Sequence, residues 1–361
     1  MQTPPAIEIT RERLQNQGLS GPGFRSPAHA VRALGAVQAQ DFFGAKWALG
    51  QRVPGASDAD VEAAFQDGKL LRIHVLRPTW HFVAPDDARW MLELSAPGIR
   101  RKMAYYDRRY GLDEASFRLS NRTLSRALAK RQFLTREELA AELGKAGIRA
   151  SGPALGHLML RAELDRVVCS GPRRGKQFTY ALFDARAGKS PFKTRDEALA
   201  ELARRFFASH GPAFDEDLSW WSGLTLGDAR RGIEAAGLRS RELDKVLYFK
   251  ATRARRASVP LVRLLPNYDE YLIGFKDRRF FFDAAQFGAL GRGDNVFSNH
   301  LIVVRGRVAG GWRRTTTTTT VTVDARVLVK LGAAERRALD EEAQRYARFL
   351  GLELALRVAT G

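Results

Sequence analysis

The segment from Thr135 to Leu182 limits the possible folds of this chain more than any other stretch. It begins with "LTREELAAELGKAGI", in which Thr135 and Glu138 have the spacing of a helix capping box. A second helix is predicted over 152–162. The following "VVCSGPRRGKQFTYALF" has the pattern of two short strands around a Gly-Pro-Arg-Arg-Gly turn. Helix, turn, helix and hairpin therefore follow one another within fifty residues or so.

The same order of elements recurs, which predicts a tandem architecture. Upstream, a strand or hairpin in "LLRIHVLRPTWHFVAP" follows helices predicted over 10–17, 28–37, 43–52 and 58–67. A weaker copy begins at "DEDLSWWSGLTLGDARRGIEAAG", where Trp220 and Trp221 are predicted core anchors. This is the layout of the winged-helix module, repeated without a strict sequence period. We predict winged-helix (helix-turn-helix) modules over 1–95, 96–190 and 191–245.

From about Leu243 the sequence becomes rich in strands. "LVRLLPNYDEYLIGFKDRR", "HLIVVRGRVAGGWRR" and "TTTTTTVTVD" carry β-branched residues and turns that contain glycine, and an amphipathic helix follows. The run Thr315–Thr320 is predicted to form one solvated strand. The predicted fold class is therefore α+β, with a C-terminal β-barrel or small sheet over 246–361.

The charge of the chain favours a polyanionic partner. Its 59 Lys and Arg residues exceed its 40 Asp and Glu residues, which gives a formal net charge of +19. A chain with this excess gains binding energy from the counterions that nucleic acid releases. Only 12 of the basic residues are lysine, so codon bias in a GC-rich genome would explain part of the arginine excess.

Other features of the composition favour the cytoplasm. Cys169 is the single cysteine, so no intramolecular disulfide can form, as is typical of a reducing compartment. No apolar stretch approaches 18 residues, and the start has no layout of a secretory signal. We therefore expect a cytoplasmic protein without a membrane partner.

Conventional catalytic and cofactor motifs are absent from the sequence. The six histidines are scattered without zinc spacing, and no Walker loop or Gly-x-Gly-x-x-Gly occurs. Cys169 is predicted to be a buried small residue. Asp269 and Glu270 could form a general acid/base pair, although capping of a helix or strand is the alternative. We expect neither a metal nor a cofactor.

Two glutamines, Gln38 and Gln40, lie in a predicted joint between two helices, before Asp41 as a helix N-cap. Residues two apart share a face only in an extended segment, so both amides can reach one site only if the joint is extended. The alternative role of these amides is to cap the flanking helix ends.

Several segments together resemble the AlkZ-like DNA glycosylase family. They are "VQAQD" (37–41), "LRPTWHFV" (76–83), "LSWWSGL" (218–224) and "LPNYDEYLIGFKDRR" (265–279), and the likeness extends over almost the whole chain. The resemblance implies three tandem winged-helix modules and a C-terminal β-barrel around a channel for duplex DNA. It also implies a catalytic Gln-Φ-Gln signature, or Gln-Φ-Asp in a sister branch, where Φ is apolar. Gln38 and Gln40 match the first form, with the small Ala39 in the middle.

The function implied is that of a monofunctional DNA glycosylase, acting as a monomer on duplex DNA that carries N7-alkylated purines. Bulky adducts and interstrand crosslinks are implied substrates. Period-2 spacing predicts that Arg77, Thr79 and His81 share one face of a strand. The predicted DNA-binding residues are Arg77, Thr79, His81, Arg173, Arg174, Lys176 and Asp269. A winged-helix transcription factor and a non-catalytic DNA-binding protein are the rival interpretations.

Overall fold

A computed structural model gives the fold of the chain. It describes residues 4–148, 151–192, 194–243, 246–250, 258–278, 280–282 and 299–360. Arg279, the last residue of one of the motifs, lies outside this range. No helix in the described ranges is both long enough and apolar enough to cross a membrane.

The first part of the chain is a group of helices followed by a small antiparallel sheet. Its elements are α1 (Pro4–Asn16), α2 (Pro27–Leu34), β1 (Val37–Gln38), α3 (Phe42–Arg52), α4 (Asp58–Gln66), β2 (Leu71–His74) and β3 (Trp80–Val83). Helix α2 ends earlier than predicted, because Gly35 has φ 83° and its N–H bonds back to Arg32. The sheet has the order β1-β3-β2, so β3 is central.

The strand predicted to continue from Leu76 to Phe82 is interrupted. Leu76 has φ 65°, a left-handed conformation that is unfavourable for a leucine, and it ends the extended run that begins with β2. Arg77 and Thr79 therefore lie in the turn between β2 and β3. The prediction that they share one strand face with His81 was wrong for this reason.

The second part repeats the order of helices and hairpin. It comprises α5 (Pro85–Arg109), α6 (Glu114–Lys130), β4 (Leu134–Thr135), α7 (Arg136–Lys145), α8 (Gly152–Leu164), β5 (Val168–Ser170), β6 (Thr179–Leu182) and α9 (Phe183–Arg186). The predicted capping box is confirmed, since the Thr135 hydroxyl accepts from the Glu138 N–H and the Glu138 carboxylate accepts from the Thr135 N–H. The sheet has the order β4-β6-β5.

A third group of helices precedes a two-stranded ribbon. Its elements are α10 (Arg195–Ser209), α11 (Asp215–Ser222), α12 (Leu226–Ala235), β7 (Ser240–Leu243) and β8 (Val246–Phe249). Trp221 is fully buried, as predicted, whereas Trp220 is half-buried and donates to the Ile273 carbonyl.

The last part is an open five-stranded sheet covered by a helix. Its elements are β9 (Val262–Leu265), α13 (Glu270–Ile273), β10 (His300–Val304), β11 (Arg307–Thr316), β12 (Thr320–Val327), α14 (Ala333–Leu350) and β13 (Glu353–Thr360). The strand order is β13-β12-β11-β10-β9, antiparallel except for the parallel pair β12 and β13. In the described residues β9 and β13 are the two edges and do not pair, so the predicted β-barrel was wrong and the small sheet is found. Helix α14 carries the chain from β12 back to β13 and buries Leu339 and Tyr346, so the sheet is covered without closing on itself.

The threonine run forms a hairpin rather than one strand. Thr315 and Thr316 end β11, Thr320 begins β12, and the residues between them turn. The Thr317 hydroxyl accepts from the N–H groups of Thr319 and Thr320, at 3.3 and 3.0 Å, and so closes the turn.

One hydrophobic core joins the two ends of the chain. Trp47 of α3 packs edge-on against Tyr346 and beside Phe349, both on α14, with ring centroids 4.9 and 5.2 Å apart. Gly50 permits this approach, because a Cβ there would lie 2.4 Å from the Phe349 ring. The first helices and the last helix therefore share their packing.

Candidate functional site

The Gln38-Ala39-Gln40 joint is an extended segment at the edge of the first sheet. Gln38 pairs with His81 across β1 and β3, and the Ala39 N–H donates to the Trp80 carbonyl at 2.7 Å. Ala39 is fully buried, Gln38 is 8% exposed and Gln40 is exposed. The predicted joint between two helices is therefore found, and it is extended at Gln38 and Ala39, as a shared site for both amides would require; Ala39 is in the core and Gln40 is exposed.

Arg72 holds the backbone of this joint. Its Nε donates to the Ala39 carbonyl at 2.9 Å, and its Nη2 lies 3.4 Å from the Gln40 carbonyl. The guanidinium stacks on Trp80 at 4.3 Å and Phe178 at 4.7 Å. Burial lowers the pKa of Arg72 to about 10, which leaves it charged at neutral pH. The joint is thus fixed by a cation from β2, which reaches it across the central strand β3.

The Gln38 side chain is oriented by Arg77. Arg77 Nη2 donates to Gln38 Oε1 at 3.0 Å. Since a guanidinium only donates, this contact identifies the carbonyl oxygen of the amide and fixes which way it points. One of the two lone pairs of that oxygen remains available.

A buried carboxylate, Glu270, lies beneath Gln38. Its Oε1 accepts from the Gln38 backbone N–H at 2.7 Å, and its Oε2 accepts from Trp221 Nε1 at 2.9 Å. His210 Nε2 lies 3.5 Å from Oε2, which is the distance of an ion pair and longer than a good hydrogen bond. Burial alone would raise the pKa of Glu270, but contacts with His210, His81 and the Gln38 amide outweigh it and lower the pKa to about 2. Glu270 is therefore an anion at neutral pH.

His81, opposite Gln38, is a neutral imidazole at neutral pH. Burial, followed by the nearby Arg77 charge, lowers the pKa of His81 to about 3. Its Nδ1 lies 2.8 Å from the Thr79 carbonyl, and its Nε2 is buried without a hydrogen-bond partner among the described residues. A neutral imidazole with so low a pKa has almost no protonated form to donate a proton to a leaving group.

Three separate segments therefore converge on Gln38, two in direct contact and Trp221 through Glu270. Trp221 comes from α11, Glu270 from the start of α13, and Arg77 from the β2–β3 turn. Leu76 and Tyr268, next to two of these segments, have positive φ values of 65° and 57°. Strained backbone of this kind persists only where the surroundings enforce it.

Gln40 is held less firmly than Gln38. Its Oε1 accepts from the Trp80 N–H at 3.4 Å, a long contact at an exposed position. Asp41 follows as the predicted N-cap of α3, and its carboxylate accepts from the Gly44 N–H at 3.0 Å. A Cβ at Gly44 would lie 2.6 Å from Asn267 Oδ1, so the start of α3 lies against the segment that leads to Glu270.

Asp269 was predicted to contact DNA, but it lies in the core and cannot do so. Its carboxylate accepts two 2.8 Å hydrogen bonds from Arg52, and its side chain is 0% exposed. It also caps α13 through the Tyr271 N–H. The capping alternative is thereby confirmed for Asp269, while Glu270 reaches towards Gln38.

Arg173 is not a free cation at the tip of the β5–β6 hairpin. Its Nη1 lies 3.1 Å from the Glu62 carboxylate on α4, and its backbone N–H donates to Gln66 Oε1 at 2.8 Å. Its side chain is 11% exposed. Arg174 pairs with Glu138 at 3.1 Å and is half exposed. Lys176 is exposed and forms no ion pair with any described residue.

Other reactive groups lie away from this joint or show no clustering. Cys169 is buried, as predicted, and burial raises the pKa of its thiol to about 12. Within the described ranges, no three His, Cys, Asp or Glu side chains come together in an arrangement that could hold a metal.

Sequence reasoning missed Arg72, His210 and the contact of Glu270 with Gln38. Glu270 and Trp221 lie inside motifs of the sequence, which marked the residues but gave no sign of their contacts. Arg72 lies in the predicted strand segment, four positions before the motif that begins at Leu76, and has no spacing that marks it. His210 follows α10 and lies 60 positions before Glu270, and no local pattern identifies it.

Comparisons with known proteins agree on one family. The model of the family described as DNA glycosylase AlkZ-like matches residues 31–349. An interstrand DNA cross-link repair glycosylase from Streptomyces sahachiroi is 26% identical over 343 residues, which cover 86% of this chain and 88% of that protein. The solved structure of Streptomyces sahachiroi DNA glycosylase AlkZ has the same fold, with a TM-score of 0.77, 22% identity and 98% coverage of each chain.

Proposed function

The chain belongs to the AlkZ-like family of DNA glycosylases, and we propose that it hydrolyses the N-glycosidic bond of N7-alkylated purines in duplex DNA. In this proposal Gln38 and Gln40 position the attacking water and stabilise the developing positive charge on the sugar. The observation that carries the proposal is the convergence of three motif segments on Gln38, through Arg77, Glu270 and Trp221.

The chemistry of the substrate explains why amides suffice. An N7-alkylated purine carries a positive charge that its departure neutralises, so the leaving base needs little or no protonation. The enzyme then has to place a water at C1′ and stabilise an oxocarbenium-like sugar. Both tasks are met by positioned dipoles without a strong base.

The contacts of the two glutamines are suited to this task. Arg77 engages one lone pair of Gln38 Oε1, which leaves the second to accept a hydrogen bond from water. Gln40 is exposed two residues further along the joint. The anionic Glu270 beneath Gln38 adds a fixed negative charge near the developing cation.

The protonation states favour labile substrates over normal bases. His81 is neutral at neutral pH and Glu270 is ionised, so neither is in a form that protonates a leaving base. We expect poor excision of unmodified purines, whose departure requires an acid.

We propose that the partner is duplex DNA, bound by a monomer with three tandem winged-helix modules. The net charge of +19 supports a polyanionic partner. The exposed Lys176 and the half-exposed Arg174 are the phosphate contacts proposed on the second module. The relative from Streptomyces sahachiroi is named for interstrand cross-link repair. We propose that bulky adducts and crosslinks are substrates of this chain as well.

The test is single-turnover incubation with a duplex that carries one N7-methylguanine, followed by alkaline cleavage of abasic sites. Wild type should release the base, and Gln38→Ala/Gln40→Ala should lose at least 100-fold in rate while it still binds the duplex. Gln344→Ala, an exposed glutamine on α14, is the matched control and should excise normally. Full excision by the double variant would exclude the proposed role of the glutamines.

The rival functions predict DNA binding without chemistry. A winged-helix transcription factor should bind one sequence tightly, and a non-catalytic protein should bind without release of a base. Wild-type binding without excision of N7-methylguanine, a bulky adduct or a crosslink would favour these rivals over the proposed hydrolysis.

A further inference from the structure

A basic cleft lies at the β2–β3 turn, and one of its lining residues, Arg77, bonds to Gln38. It has a volume of about 350 Å³, and its lining includes Arg77, Lys102, Lys276, Glu216 and Trp220. Lys102 is exposed on α5 and forms no ion pair with any described residue. Lys276 lies 3.7 Å from Glu216, a contact between two half-exposed side chains that contributes little. Three cations thus face one carboxylate across an open space.

Arg77 is the deepest of these cations and the least satisfied. The one hydrogen bond that its guanidinium makes within the described residues is the 3.0 Å contact with Gln38 Oε1, although a guanidinium has five N–H donors. Its Nε is buried and has no hydrogen-bond partner in the described part of the chain. A desolvated guanidinium with spare donors is unfavourable unless an acceptor completes it, and a phosphate matches its planar fork.

The backbone holds Arg77 at this position. Leu76, which precedes it, is buried with φ 65°, and its N–H donates to Ser95 Oγ at 3.1 Å. Gly223 ends α11 in a left-handed conformation against the same turn, where a Cβ would lie 2.4 Å from the Leu76 carbonyl. The turn is therefore fixed from two sides, as a preorganised site requires.

We propose that this cleft binds one backbone phosphate of the DNA strand that carries the lesion, and that Arg77 holds this phosphate and the Gln38 amide together. The inference rests on the proposed function, because it assumes that the sugar under attack lies at Gln38. Phosphates on either side of a nucleotide are joined to the same sugar as its base. A sugar at Gln38 therefore brings a phosphate within reach of Arg77, with Lys102 and Lys276 on its other sides.

Arg77 is a positioning residue in this arrangement. One edge of its guanidinium fixes the direction of the Gln38 carbonyl, while the phosphate takes its remaining donors and neutralises its charge. The neutralisation matters because a bare cation would oppose the positive charge that develops on the sugar. The water is then oriented correctly only when the strand is seated.

The first experiment measures the salt dependence of binding to an undamaged duplex. For Lys102→Met/Lys276→Met, the slope of log K against log salt concentration should become shallower by about one, the value for one lost phosphate contact. Lys330→Met is the control. Lys330 is an exposed lysine beside another cleft, and its replacement removes a charge but should leave the slope unchanged. An unchanged slope in the double lysine variant would overturn the phosphate site.

The second experiment is a double-mutant cycle on the saturated single-turnover rate with the N7-methylguanine duplex. Arg77→Lys should lower this rate about tenfold in the wild-type background and hardly at all in Gln38→Ala, because the residue acts through Gln38. If Arg77→Lys lowers the rate by the same factor in both backgrounds, the link between Arg77 and Gln38 is overturned. A merely structural role of Arg77 would give this additive result. Thermal melting checks that each variant is folded. If Arg77→Lys is not folded, the salt dependence of the double lysine variant still tests the cleft, because both lysines are exposed.

The two experiments separate the failure of this inference from the failure of the proposed function. If wild type excises no alkylated base, the glycosylase proposal fails, and the salt slope on undamaged duplex still decides the phosphate cleft. If wild type excises the base but the slope is unchanged and the cycle is additive, the cleft proposal alone is overturned.

Discussion

Gln38 and Gln40 differ in how firmly the protein holds them. Gln38 is bonded at its backbone N–H by Glu270 and at its side-chain oxygen by Arg77, and it is nearly buried. Gln40 has one long side-chain contact and is exposed. We infer that Gln38 is preorganised for the reaction, whereas Gln40 takes its final position when DNA binds.

Replacement of the buried carboxylate tests how much its charge contributes. Glu270→Gln preserves the shape, but it turns an amide N–H₂ towards Gln38 N–H or Trp221 Nε1, both of which are donors. We expect a loss of about 1–3 kcal/mol in the free energy of unfolding and a saturated excision rate lower by about tenfold or more. Glu341→Gln, at an exposed position on α14, serves as the control. A variant that is fully folded and excises at the wild-type rate would exclude a role for the charge.

The protonation states also predict how excision depends on pH. Glu270 is ionised above about pH 2 and His81 is neutral above about pH 3, so neither titrates between pH 5.5 and 8.5. The single-turnover rate should therefore be nearly flat over that range at constant salt. If the plot of log rate against pH has unit slope in part of that range, a general acid or base with a pKa in the range takes part.

At the scale of elements, the β5–β6 hairpin fastens the second sheet to α4. Arg173 contacts Glu62 and Gln66 and packs over Phe42 at 5.2 Å and Phe178 at 5.4 Å. Lys176, three residues further along the hairpin, is exposed. Neighbouring basic residues in one turn thus have different surroundings.

This difference predicts opposite effects of two similar substitutions. Arg173→Met should lower the free energy of unfolding by about 1–3 kcal/mol, because it removes one of the two cations that pair with Glu62 and leaves only Lys46, and it should hardly change the salt slope of DNA binding. Lys176→Met should leave stability unchanged and make the slope shallower by about one. Denaturant titration and binding at several salt concentrations measure the two effects. The reverse outcome would show that Arg173, rather than Lys176, contacts DNA.

Elements set by local signals could be predicted from the sequence. The capping box of Thr135 and Glu138 and the N-cap Asp41 both depend on residues within a few positions of one another. The turn at Leu76 was missed because its positive φ is imposed by packing against α11.

Features that depend on distant residues could not be predicted. Whether a sheet closes into a barrel is decided by which strands become its edges, and here β13 returns beside β12. Glu270 and Gln38 are separated by 232 positions, so only the folded chain reveals that they are bonded. Gln38 and Gln40 were identifiable from their motif, and the residues that hold them were not.

For the molecule as a whole, buried imidazoles make stability depend on pH. Burial and the nearby Arg314 charge lower the pKa of His300 to about 4, and burial with the Arg77 charge lowers the pKa of His81 to about 3. The unfolded chain binds protons at these rings below about pH 6.5, whereas the folded chain does not. Stability therefore falls as pH falls from about 6.5, by up to about 1.4 kcal/mol per pH unit for each ring.

The His300 contribution can be tested separately. In His300→Asn the side-chain oxygen can still accept from the Asn267 N–H, which His300 Nδ1 accepts at 2.9 Å. The free energy of unfolding of this variant should fall less steeply between pH 6.5 and 4 than that of wild type. Denaturant titrations across that range provide the measurement, with the exposed His29→Asn as control. An unchanged slope would show that His300 is not held neutral in the folded chain.

The packing of Trp47 and Gly50 against Phe349 has a consequence for synthesis of the protein. A ribosome releases α3 about 300 residues before the helix that covers it. The nascent chain must therefore expose the apolar surface of α3 while the intervening residues are translated. The segment that carries the two glutamines is completed only when α14 packs against it, so a chain that stops before α14 cannot be expected to assemble this site.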